Sequence, residues 1–106
     1  MNVQELFDQV AERLVAERAE VEKARMFASD GLKTRGKFFA MVSKGDLVVK
    51  LPAERVDELV ESGAGQRFDP GHGRLMKEWA ALQPVDEKAC EAYVEEARNF
   101  VASQAR

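Results

Sequence analysis

At 106 residues the chain has the length of one ordinary domain, and 45% hydrophobic with 33% charged residues is the composition of a folding chain, which excludes intrinsic disorder. Sixteen basic against nineteen acidic side chains leave a net charge of −3, which argues against a surface built throughout for nucleic acid. One cysteine, Cys90, and one histidine, His72, exclude a disulfide framework and any Cys- or His-rich metal site. The longest unbroken apolar run, Phe38-Phe39-Ala40-Met41-Val42, falls far short of the roughly 20 residues of a membrane helix. Glu5, Asp8 and Glu12 stand where a targeting peptide would be basic or free of acids. The expectation is a soluble, cytoplasmic protein with a single domain over residues 1–106 and no membrane association.

Val3, Leu6, Phe7, Val10 and Leu14 recur at three and four residues, one face of a helix that Asn2 caps and that ends between Arg18 and Glu22. Arg25 to Ala28 reads as a short strand, and Ser29-Asp30-Gly31 as a turn. Leu32–Thr34 and Lys37–Ser43 read as strand interrupted by Arg35-Gly36. Lys44-Gly45-Asp46 is a tight turn before the strand Leu47–Leu51. Together these predict a three-stranded meander over 25–51, with Phe38, Ala40 and Val42 on its core face. Pro52 opens a second helix whose buried stripe is Val56, Leu59 and Val60, closed by Gly63 in the left-handed conformation. Residues 63–75, with four of the 7 glycines, read as an irregular loop. Met76–Leu82 is a last strand, and Asp86 caps a helix with the stripe Ala89, Cys90, Tyr93, Val94, Ala97, Phe100 and Val101. The fold class is α+β: an antiparallel sheet with helices packed on it, in the order α-β-β-β-α-β-α.

Charge is unevenly spread. Residues 1–22 hold two basic and six acidic groups, residues 23–52 seven basic and two acidic, and residues 53–66 one and four. The helices are acidic and the sheet is basic. Two readings of this stay open: charge pairing within the molecule together with lysines that guard strand edges, or a sheet surface that binds anions.

Several short motifs follow one another in a recognisable order. They are Arg25-Met26-Phe27, Gly31-Leu32, Gly36-Lys37-Phe38-Phe39-Ala40-Met41-Val42 and Leu47-Val48-Val49-Lys50-Leu51-Pro52, then Gly63-Ala64-Gly65-Gln66-Arg67-Phe68 and Gly73-Arg74-Leu75-Met76-Lys77-Glu78-Trp79. As a string they resemble the TfoX N-terminal domain family, named after the Sxy/TfoX regulators of bacterial competence. The resemblance spans about 22–102, with the first helix fitting by position. It implies a small α+β fold with helices on an antiparallel sheet. The competence regulators carry a second, C-terminal domain resembling helix-hairpin-helix modules, and none is expected in a sequence that ends at Arg106. The family supplies no catalytic residues to carry over, and Ala28-Ser29 replaces the glycine pair that many relatives have after Met-Phe.

The most site-like stretch is Gly71-His72-Gly73-Arg74. Glycine-rich backbone can aim N–H groups at an anion, and Arg74 and Lys77 add charge; Lys50 and Arg67 are expected nearby. The candidate anion or ligand site is therefore Lys50, Arg67, Gly71, His72, Gly73, Arg74 and Lys77. It is neither a P-loop nor a dinucleotide fingerprint, since no Gly-Lys-Ser/Thr ending and no βαβ unit occur. Cys90 lies in an apolar stripe and reads as a small core residue. No catalytic residue, metal or cofactor is expected. The expectation is a non-catalytic binding or regulatory module, linked to transcription or competence regulation by the resemblance. The alternatives are an anion-binding protein that uses the basic sheet and the 67–77 loop, or an enzyme of unrecognised chemistry. A protein partner or a homodimer stays open, and tight direct binding of nucleic acid is not expected.

Overall fold

A computed structural model describes residues 1–26, 29–71 and 73–104. The first element, α1 (Val3–Glu17), begins with a capping box: Glu5 N–H donates to Asn2 Oδ1 at 2.9 Å, and Asn2 N–H donates back to Glu5 Oε1 at 3.1 Å. Its stripe of Val3, Leu6, Phe7, Val10, Ala11 and Leu14 is buried, as the spacing predicts.

Next comes a meander of four strands rather than three: β1 (Val21–Met26), β2 (Ser29–Thr34), β3 (Lys37–Ser43) and β4 (Asp46–Lys50). Ser29-Asp30-Gly31 is not the turn; these residues pair with Met26, Arg25 and Ala24 as the first half of β2. The expected β strand at Arg25–Ala28 starts earlier, and its Phe27 and Ala28 lie outside the described residues. Arg35-Gly36, read as an interruption, is a two-residue hairpin turn between the paired Thr34 and Lys37. Both its residues have positive φ, 52° and 80°, as a type I′ turn requires, and Lys44-Gly45 repeats the device at 54° and 80°.

The chain continues through α2 (Ala53–Glu61), β5 (Gly65–Phe68), β6 (Met76–Leu82) and α3 (Glu87–Gln104). Asp86 caps α3 through Ala89 N–H, at 2.8 Å. The irregular stretch 63–75 thus contains a strand that its glycines conceal. Gly65 belongs there because a Cβ would meet the Leu82 side chain and the Ala81 carbonyl oxygen at 2.9 Å or less. All six strands form one antiparallel sheet in the order β1-β2-β3-β4-β6-β5. The α+β class stands, with the order α-β-β-β-β-α-β-β-α.

The alternation along β3 is broken. Leu32 faces Ala40 but Lys33 faces Phe38, so Phe39 is an extra residue, a β-bulge. Phe39 and Ala40 consequently both join the helix-side core at 0% exposure, while Phe38, expected in that core, is turned to the opposite face and only half-buried. Tyr93, also expected inside, packs against the core from its margin.

Side chains from all three helices join the same core as Leu32, Phe39, Ala40, Leu47, Val49, Ala80 and Leu82. The other face carries a separate apolar cluster to which no helix contributes: Met41, Val48 and Trp79, flanked by Phe38, Phe68 and Ala81. Among the described residues helices cover one face of the sheet only; the other, the uncovered face, keeps Met41, Val48 and Trp79 from water with its own neighbouring side chains. Charged pairs lace the helix layer. Arg13 reaches Glu87 and Glu91, Arg18 reaches Glu95, and Arg55 reaches Glu96 at 2.8 Å. Rising numbers on α1 meet rising numbers on α3, so these helices run side by side in the same direction. Arg98 is the buried member, donating to Glu95 at 2.7 Å, Asn99 at 2.7 Å and Glu20 at 3.3 Å.

Candidate functional site

The sheet's regularity fails where β6 leaves β5. Arg67 pairs with Ala80 but Phe68 pairs with Met76, so Lys77, Glu78 and Trp79 have no opposite number on β5. On the other side Lys50 pairs with Trp79, and Leu51 N–H donates to the Glu78 carbonyl at 2.9 Å. The strand is held on one edge and released on the other. This opens a groove of about 730 Å³ at the end of the sheet.

Its charged lining is Lys50, Arg74, Lys77 and one carboxylate, Glu78; its apolar lining is Ala53, Pro70, Leu75, Met76 and Trp79. The Lys50 ammonium stands 5.9 Å from the Trp79 ring centroid, and on the same face Lys33 stands 4.9 Å from that of Phe38. Trp79 is buried, so its indole is wall rather than exposed plate. Leu75 and Met76 are exposed at 57% and 38%, large apolar side chains next to one another in water.

Three of the sequence-derived residues, Lys50, Arg74 and Lys77, meet in this groove. Arg67 does not join them: it pairs with Ala80, on the core side of β6, and its guanidinium is bound to Asp57 of α2. Gly71 and Gly73 lie beside the groove, but their N–H groups donate to Asp69 Oδ1 at 2.8 and 3.2 Å. His72 lies outside the described residues. Sequence reasoning missed Leu75 and Met76, the last residue of the irregular stretch and the first of the last strand. Both lie beside the break in pairing, for which the sequence has no signal beyond Pro70 and the glycines. A smaller cleft, about 360 Å³, lies between α1 and the β1–β2 hairpin and mixes Asp8 and Asp30 with Lys23 and Arg25.

Among the described residues, no group of three or more His, Cys, Asp or Glu is placed to hold a metal ion, and no helix is long and apolar enough to cross a membrane. Cys90 is walled into the core at 0% exposure. Burial pushes its thiol up from 9.0 to about 11, with Glu87 and Glu91 adding repulsion. Native protein should therefore react with a thiol reagent only through transient opening; labelling at the rate of an exposed thiolate would place the sulfur at the surface. Because the folded thiol holds its proton more tightly than the unfolded one, its contribution is complete below pH 9 and falls as pH rises toward 11.

The sequence matches the TfoX N-terminal domain over residues 13–101. The chain belongs to that family. No curated protein and no solved structure matches it. In this TfoX N-terminal domain the matched span runs from the second half of α1 into α3, and so takes in the whole sheet, the groove and the uncovered face. The family points to a module related to competence and regulation.

Proposed function

We propose that the chain is a non-catalytic binding module of a transcription- or competence-regulating system in the cytoplasm, meeting its partner with the uncovered face of the sheet. The observation that carries this reading is the meeting of unpaired cations with exposed apolar side chains at one end of the sheet; Lys23, Arg35, Lys37, Lys44 and Lys88 are also without an ion pair among the described residues, but have no such apolar neighbours in a groove. Arg13, Arg18, Arg55, Arg67 and Arg98 all pair with carboxylates. Lys33, Lys50, Arg74 and Lys77 make no ion pair among the described residues, and all lie on the uncovered face or in the groove at its end. A folded chain with more acids than bases has carboxylates to spare for these cations, yet leaves Lys50, Arg74 and Lys77 without one beside the exposed Leu75 and Met76. Unpaired charge around apolar surface is the make-up of a recognition surface.

The test is genetic. Deleting the gene in its own host should change a defined set of transcripts, and a copy carrying Lys50→Glu and Lys77→Glu should fail to restore them while accumulating to the same level as wild type. Unchanged transcripts on deletion would end the regulatory reading; full restoration by the double variant would end the role of this face.

A second reading, a small-anion site, is favoured by the meeting of Lys50, Arg74 and Lys77 in one groove. Arg74 is the residue on which it turns, because a guanidinium grips two oxygens at once and an ammonium does not. Titration with phosphate should then move the amide signals of residues 73–77, and Arg74→Lys should weaken binding nearly as much as Arg74→Ala. Still signals over 73–77 would dismiss the site.

A further inference from the structure

The geometry points to a specific kind of occupant for the groove: an acidic protein segment that inserts one large apolar side chain between Leu75, Met76 and Trp79 while its carboxylates meet Lys50, Arg74 and Lys77. This rests on the reading of the uncovered face as a partner surface and names that partner's chemistry.

The groove asks for two things at once. Leu75 and Met76 are exposed at 57% and 38% against the wall made by Trp79, so apolar area is available to be covered. Three cations stand around it with Glu78 as the only acid of the lining, and none of the three has a carboxylate partner among the described residues. Charge complementarity supplies steering and an apolar anchor supplies residence, and an acidic segment with a Leu or Phe offers both.

Other occupants fit less of this. A bare inorganic anion would use the cations but leave Leu75 and Met76 wet, and two N–H donors a phosphate would want, Gly71 and Gly73, are already given to Asp69. Single-stranded nucleic acid needs aromatic faces on which to stack, whereas Trp79 is buried and Lys50 lies over its ring. A second copy joined face to face across a two-fold axis would set lysines against lysines.

The only tryptophan of the chain is Trp79, so its fluorescence reports on the groove without a label. The probes are a short synthetic peptide with a central Leu-Phe flanked by Asp and Glu, the same peptide with Ser-Ser at its centre, oligoglutamate, and a single-stranded oligodeoxynucleotide. The first peptide should alter Trp79 emission and move the amide signals of Lys50, Leu75, Lys77 and Trp79, with affinity falling as salt is raised. The Ser-Ser peptide, or the variant Leu75→Ser, should bind at least tenfold more weakly, and Lys50→Glu with Lys77→Glu should abolish binding while the denaturation midpoint stays within a small margin of wild type. Leu75 is exposed, so its replacement leaves the core untouched. Equal binding of the Ser-Ser peptide or of oligoglutamate would reduce the site to an anion site. Tighter binding of the oligonucleotide would give the groove to nucleic acid. No response of Trp79 or of these amides to the first peptide would overturn the proposal outright. The host transcript assay separates this failure from the broader one: if the charge-reversed copy still fails to restore transcripts while the peptide does not bind, the surface is used and its acidic occupant is wrong.

Discussion

Phe39→Ala should lower the stability of the fold by about 3–5 kcal/mol, whereas Phe38→Ala, one residue away, should cost about 1 kcal/mol. The two phenylalanines are adjacent in sequence and would be exchanged by a regular strand. The bulge decides between them: it turns Phe39 into the helix-side core at 0% exposure and leaves Phe38 on the uncovered face under Lys33. Truncating Phe39 leaves a cavity among Leu, Val and Ala side chains that the close-packed helix layer cannot refill. Truncating Phe38 removes a half-solvated ring that water can replace. Chemical denaturation of both variants, with the slope against denaturant checked for constancy, makes the comparison. Equal losses, or the larger loss at Phe38, would mean that β3 pairs with β2 in regular register and that the two faces of the meander are the reverse of those described.

Arg98→Ala should cost about 2–3 kcal/mol at neutral pH, below the usual range for a broken buried pair because Glu20 and Glu95 keep some access to water. The guanidinium joins α3 to the segment between α1 and β1 and shares Glu95 with Arg18. Burial pushes the Glu95 carboxyl up, but its hydrogen bonds and charge attraction to Arg98 and then Arg18 outweigh that, and the group ends below its ordinary value of 4.5. A carboxyl lowered in this way stabilises the fold above pH 4.5 and loses its contribution as pH falls through the folded value. The gap between wild type and Arg98→Ala should therefore narrow in acid. Arg98→Lys should recover only part of the loss, since an ammonium cannot reach Glu20, Glu95 and Asn99 together. A gap that does not change with pH would assign the effect of Arg98 to packing of its aliphatic stem.

Elements whose apolar spacing has a single consistent period were legible in the sequence. The stripes of α1 and α3 and the caps at Asn2 and Asp86 all appear in the structure. So does the left-handed Gly63 after α2. What was missed has physical reasons. β1 was read only from Arg25 onward, because it is an edge strand whose Glu22 and Lys23 give its first half the composition of a solvated loop. β5 is short and opens on a glycine that the close approach of β6 demands. The bulge at Phe39 is invisible to alternation because Phe38 and Phe39 are the same residue. The groove was half legible: charge spacing brought Lys50, Arg74 and Lys77 together, but Arg67 was separated from them by strand parity, which depends on a register that only pairing with Ala80 fixes.

The side-by-side packing of α1 and α3 also bears on when the domain can fold during synthesis. The first helix made and the last helix made are neighbours over the same sheet, tied by Arg13, Arg18 and their glutamate partners. The meander β1–β4 is built from near neighbours in the chain and can zip early. The sheet's helix-side face nevertheless stays only partly covered, by α1 and α2, until α3 arrives, because Cys90, Val94, Ala97 and Val101 complete the core. A nascent chain that stalls before residue 87 carries a sheet with the rest of its apolar face open and a first helix lacking its mate. Such a chain is a substrate for chaperones and proteases. The core of the domain is thus closed only once α3 has been made, and a chain ended before residue 87 lacks the side chains that close it.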